Sequence, residues 1–168
     1  MRWLLVALAL ASAGCKQDAP EARPEDPAVV PSGAGIGPRN EARVEIVSAL
    51  PGQDAAAIVK DELERAQRDG RELLVYVGAP WCEPCVRFHD AAAAGELDAT
   101  FPGLRLVEFD LDQDKDRLDA AGYRSRLIPL FAVPRPDGRA SGKQIEGSVK
   151  GDHAVGEITP RLRALLGR

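Results

Sequence analysis

Metal ligands and nucleic-acid contacts are scarce in this sequence. It holds three cysteines and two histidines in 168 residues, and no second cysteine pair is present to complete a tetrahedral zinc centre. Its 22 lysines and arginines are outnumbered by 26 acidic residues, a net charge of −4, so no basic field attracts phosphates and a nucleic-acid partner is not expected. No dinucleotide or flavin motif is present and no segment repeats, so no cofactor is expected. What remains is 45% apolar and 29% charged, the balance of a soluble globular protein with one core.

The chain begins with Arg2 and the apolar run "WLLVALALASAG", which is shorter than the ~20 residues a spanning helix needs. Residues 1–14 therefore read as an export signal. The run ends in "SAGC", which resembles the lipobox of bacterial lipoproteins, and that resemblance implies a lipidated Cys15 at the mature N-terminus. A cleaved secretory signal leaving a free thiol is the other reading. Lipidating Cys15 leaves one clean pair of cysteines, and several acyl chains, at roughly 0.8 kcal/mol per CH₂, hold a protein on a membrane. Residues 15–40 carry five prolines and three alternating glycines with few apolar side chains, the composition of a flexible tether. Together these features place a domain over residues 41–168 outside the cytoplasm, anchored to a bacterial membrane and facing the periplasm.

Within the domain the patterning alternates between strands and helices. "ARVEIV" (42–47) reads as a strand, and residues 54–70 as a helix capped by Asp54 and stopped by Gly70. "ELLVYV" (72–77) is the continuous apolar run of a central strand buried on both faces. Residues 104–111 and 126–133 read as strands, the latter interrupted by Pro129, and 113–122 as a short helix ended by Gly122. Asp137-Gly138 marks a tight turn into an edge strand near 143–149. In the last helix, Thr159 reads as N-cap and Pro160 as a first-turn residue. The order β-α-β-α-β-α-β-β-α predicts a central mixed sheet with helices on both faces.

The chemistry concentrates in "GAPWCEPCVRF" (78–88). Cysteines at i and i+3 of a helix rise ~4.5 Å on nearly the same side, within the ~4.4–6.8 Å that a disulfide spans. Pro84 is tolerated only in a first turn, so the helix begins around Cys82 and brings that sulfur to the positive end of the macrodipole. There the thiolate, the nucleophilic form, is favoured. Cys82 is the expected nucleophile, and Cys85, one turn deeper, the more buried resolving thiol. As a staple the pair would close too short a loop to contribute much. A copper or zinc site using Cys82, Cys85 and His89 is the alternative.

The segment "LLVYVGAPWCEPC" resembles the strand and active-site turn of the thioredoxin superfamily. "VEFDLDQD", "YRSRLIPLF" and "PDGR" extend the likeness over the whole domain. Among the branches, the signal, tether and Glu-Pro dipeptide resemble membrane-anchored reductases of the cytochrome c maturation type, and "CVRF" resembles the C-terminal thioredoxin module of the transmembrane thiol reductase. The resemblance implies a thioredoxin-like three-layer α/β sandwich. It also implies a thiol–disulfide oxidoreductase acting on disulfide-containing proteins, with electrons from a membrane thiol reductase. Pro129 would form a cis bond with Ile128 opposite Cys82, and Trp81, Ile128 and Pro129 would wall a peptide groove. The chain departs from the family in carrying Tyr76 where thioredoxins bury a proton-exchanging aspartate, and Glu108 where they place a lysine. Glu108 is thus a candidate acceptor for the Cys85 proton, and His89, one turn from Cys85, a second. The plain alternatives are a solvated Glu108 and a half-exposed His89. Glu83 sets a negative charge beside Cys82 and disfavours its thiolate, which makes the centre reducing. Arg124 and Arg126 are candidates to offset it.

Overall fold

A strand of seven residues with no exposed side chain organises the domain, and the other described elements pack around it. The computed structural model describes residues 42–168. The signal expected over 1–14, the lipidation of Cys15 and the tether over 15–40 lie outside the described residues. The elements are β1 (Glu45–Ser48), α1 (Ala55–Arg68), β2 (Glu72–Gly78), α2 (Glu83–Ala93), β3 (Leu104–Asp110), α3 (Leu111–Ala121), β4 (Leu130–Pro134), β5 (Ala140–Glu146) and α4 (Ala154–Leu165). Among the described residues no helix is long and apolar enough to cross a membrane.

Successive side chains of a strand point to opposite faces, and β2 uses both. Leu73, Val75 and Val77 enter a cluster with Ala55, Val59 and Ala66 of α1 and Leu118 of α3. Leu74 and Tyr76 enter the other cluster, with Phe88 of α2 and Ile158 and Leu162 of α4. Two helices therefore cover each face of the sheet, in the expected thioredoxin-like three-layer arrangement. Phe88 is fully buried, and truncating such a ring costs about 3–5 kcal/mol.

The strand order is β1-β3-β2-β4-β5. β1 and β2 both run parallel to β3, while β4 is antiparallel to β2 and to β5. The parallel strands deliver their C-terminal ends to one edge of the sheet, and β4 starts from that edge, so the loops meeting there come from both halves of the sheet.

Several element ends differ from the sequence expectation for identifiable reasons. β1 starts at Glu45, where pairing with Arg105 of β3 begins, because the Val44 N–H is already held by Asp98 Oδ1 at 2.8 Å. α3 starts at Leu111, since Asp110 caps it by accepting from the N–H groups of Asp112 and Gln113. Gly122 ends it at φ +88°, a left-handed conformation that other residues adopt only under strain. β4 begins after Pro129 and is not interrupted by it. β5 starts at Ala140, directly after the turn, and ends at Glu146. α4 begins at Ala154, with Pro160 inside it. Ala154, Ile158 and Leu162, spaced four apart and buried, extend the helix back past the proline. Thr159 is accordingly no cap, and its hydroxyl donates to Val155 O at 2.7 Å.

Candidate active site

The cysteines stand where β2 gives way to α2. The Cys82 N–H donates to Ala79 O and the Cys82 carbonyl accepts from the Val86 N–H, both at 3.0 Å. These bonds make Cys82 the N-cap of α2, with Glu83 and Pro84 filling the first turn. Here Pro84 removes a backbone donor that has no helical partner. Cys82 and Cys85 are joined as a disulfide with a Cα–Cα separation of 5.2 Å. The expected contrast in depth is nearly absent: Cys82 is 4% exposed and Cys85 2%. Both belong to the apolar cluster between the sheet and α2.

On one flank lies the loop before β4. The Ile128–Pro129 bond is cis, and the last β2–β4 pair, Val77 with Leu130, sets Pro129 beside the turn that leads to Cys82. Pro129 is buried, while half-buried Ile128 packs against the cluster holding both cysteines. Trp81 is 65% exposed, with its indole N–H donating to Asp112 Oδ2 at 2.7 Å. Leu127 and Val149 are also exposed, at 61% and 48%. Neither these two nor Asp112 stood out in the sequence. Nothing in their local pattern distinguishes an exposed functional apolar residue from an ordinary loop residue, or a tryptophan anchor from a helix-start aspartate.

On the other flank a cavity of about 440 Å³ opens, lined by Tyr76, Gly78, Cys85, His89, Glu108 and Asp110 among others. Strand register brings Glu108 directly beside Tyr76, so the carboxyl absent from β2 stands on its neighbour. Its side chain is 26% exposed and lies 3.9 Å from His89 Nε2. Burial pushes the Glu108 carboxyl above its usual range, with His89 opposing the shift and Asp110 adding to it. The structure thus sets Glu108 and His89 on one cavity with Cys85; Glu108 is half-buried, while His89, its side chain 45% exposed, is half-exposed as the plain alternative has it. Tyr76 donates its hydroxyl to Cys85 O at 3.2 Å, and burial, then the charge of Glu108, raises its own titration. It is a hydrogen-bond donor and no base. A Cβ added at Gly78 would stand 3.0 Å from the Tyr76 hydroxyl oxygen and 3.4 Å from Cys85 Cβ, so the small residue keeps this end of β2 open.

The charge of Glu83 is met by a residue other than those expected. Arg87, one turn along α2, places Nε 3.2 Å from Glu83 Oε1. The charge of Arg124 instead acts on Asp119. The spacing of Glu83 and Arg87 at i and i+4 was the sequence signal for this pair. Among the described residues no three His, Cys, Asp or Glu side chains gather as a metal cluster, and His89 pairs with Glu108.

No family model matches the chain. Over 101 residues it is 30% identical to a thioredoxin H-type of Populus jackii, covering 60% of this chain and 62% of that protein. The match thus spans less than two thirds of that relative's length. Among solved structures it is similar to wild-type poplar thioredoxin h, with a TM-score of 0.45, 22% identity and coverage of 75% of this chain and 98% of that one. It is also similar to thioredoxin O1 from Arabidopsis thaliana in the oxidized state, with a TM-score of 0.44, 17% identity and coverage of 74% and 96%.

Proposed function

We propose that the protein is a thiol–disulfide oxidoreductase that reduces protein disulfides outside the cytoplasm while held on a bacterial membrane by a lipid at Cys15. The observation carrying this reading is the Cys82–Cys85 pair, with Cys82 as the N-cap of α2. In the reduced state the Cys82 thiolate attacks one sulfur of a substrate disulfide, forming a mixed disulfide and releasing the other sulfur as thiolate. Cys85 then gives up its proton, attacks Cys82 Sγ, releases the second substrate thiolate and closes the Cys82–Cys85 bond. Two electrons pass to the substrate, and a membrane thiol reductase returns them to the pair. Glu108 takes the Cys85 proton across the cavity, with His89 as its partner. Trp81, Ile128 and Pro129 form the wall along which the substrate segment lies, and Glu83 modulates the pair. The export signal, "SAGC" and the tether support the location, and the resemblance to cytochrome c maturation reductases supports the reducing direction.

The test is a redox titration of the purified protein combined with insulin reduction, with Cys82→Ser as control. The expected result is turnover that the substitution abolishes, and a potential well below the ~−120 mV of strongly oxidising periplasmic enzymes. A potential near that value overturns the reductase assignment, and turnover that persists in Cys82→Ser overturns the nucleophile.

A further inference from the structure

Glu83 reaches beyond its own helix. Its Oε1 accepts from the Gly151 N–H at 3.1 Å as well as facing Arg87, and Arg87 Nη1 continues to Asp152 Oδ1 at 2.8 Å. Both far partners lie in the loop between β5 and α4. That loop is braced at its start by α4: Arg161 Nη2 donates to Glu146 O at 2.8 Å and Nη1 to Gly147 O at 2.9 Å. The Ser148 hydroxyl donates to Glu157 Oε2 at 2.8 Å. Val149 lies between this brace and the Glu83 contact and is about half exposed. Its neighbour Gly147 lies against Leu127, whose Cδ1 would be 2.9 Å from a Cβ added there. Leu127 and Val149 are thus presented by adjoining loops beside the cysteine turn that carries Trp81.

We propose that Glu83 is a positioning residue: it latches the β5–α4 loop onto the N-terminus of α2, so that Val149 joins Trp81 and Leu127 in an apolar rim receiving the extended apolar segment that flanks a substrate's disulfide. This deepens the oxidoreductase reading and rests on it. The latch works through hydrogen-bond acceptance at one oxygen atom, so it differs from an effect of Glu83's charge on Cys82. A glutamine at this position keeps the acceptor and loses the charge, whereas an alanine loses both. A small disulfide has no flanking segment, so the rim discriminates in favour of protein substrates.

The experiment compares the wild type with Glu83→Gln and Glu83→Ala in two readouts. One is amide hydrogen exchange at Val149 and Gly151. The other is the ratio of kcat/KM for insulin to kcat/KM for 2-hydroxyethyl disulfide, both driven by dithiothreitol. For Glu83→Ala, exchange accelerates and the ratio falls, each by about three- to fivefold, the scale of an exposed charged contact. Glu83→Gln stays near wild type in both. If Gln and Ala lower the ratio equally while exchange is unchanged, charge alone acts and the latch is overturned. An Ala variant with wild-type exchange and ratio overturns it as well. Wild-type protein that reduces neither substrate refutes the oxidoreductase reading, and the exchange comparison then still decides the latch on its own.

Discussion

The two neighbours of β2 bring opposite chemistry to the same pair of cysteines. Parallel β3 ends at the edge where β2 ends, so its late residue Glu108 arrives beside Tyr76 and faces the cavity that His89 also lines. Antiparallel β4 begins at that edge, so the loop leading into it sets Pro129 and Ile128 beside the cysteine turn, with exposed Leu127 before them. The β3 side is concave and titratable; the β4 side is open and apolar. Strand direction alone decides which end of a neighbouring strand reaches the site, and under the proposed function proton handling and substrate docking would approach from different sides. Substitutions on one side are expected to leave the other side's kinetic signature alone.

The sharpest way to break the comparison is Glu108→Gln. Loss of a proton acceptor slows resolution of the mixed disulfide by roughly a hundredfold or more, read by stopped-flow mixing of the reduced protein with a disulfide substrate. Because the folded-state pKa of Glu108 is raised by burial, wild-type resolution climbs with pH through a range above the ordinary value of 4.5, and the variant loses that rise. Stability carries the same signature. The folded protein holds this proton more tightly than the unfolded chain does, so a stabilising contribution present below pH 4.5 is lost as pH rises through the folded pKa. Glu108→Gln therefore gains stability relative to wild type at neutral pH and not at pH 4, measured by urea unfolding at both. An unchanged pH profile of resolution would remove Glu108 from the proton path.

A smaller effect is expected from the apolar side. Leu127→Ser raises KM for a protein disulfide about fivefold, the equivalent of roughly 1 kcal/mol of lost apolar contact, and leaves the pH profile of resolution in place. Steady-state insulin kinetics at several pH values provide the check. A shifted profile in this variant would mean that the two sides are coupled.

How far the sequence carried this picture differs between the two sides as well. The run 72–77 declared a central strand because its residues are apolar on both faces, and Pro84 located the start of α2 because a proline is tolerated there and hardly elsewhere in a helix. Gly122 marked the end of α3 for a similar local reason. Glu108 was readable as a candidate only through the resemblance, since no local pattern says that a residue on β3 will stand beside one on β2. The start of α4 was misplaced because burial of Ala154, Ile158 and Leu162 outweighs the proline that local rules treat as a first-turn residue. The ties of Trp81 to Asp112 and of Glu83 to Gly151 join residues 31 and 68 positions apart, and such distant pairings leave no periodic trace in the chain.

The smallest expected effect concerns Tyr76, which sits on the border between the two sides. Its ring stacks on Phe131 of β4 with centroids 5.1 Å apart and approaches Phe88 of α2 at 5.8 Å, while its hydroxyl reaches Cys85 O. Tyr76→Phe keeps the rings and removes one buried donor. The Cys85 carbonyl lies within the α2 hydrogen-bond ladder, so losing a second donor there costs about 1 kcal/mol, or a fall in Tm of roughly 3–5 °C for a domain of this size. Because burial keeps the tyrosine neutral, its loss removes no base, and the rate of resolution and its pH profile stay within about twofold of wild type. Differential scanning calorimetry and the same stopped-flow assay measure both. A large kinetic loss with little change in Tm would place the tyrosine hydroxyl in the proton path, and the carboxylate on β3 would then no longer act alone beside Cys85.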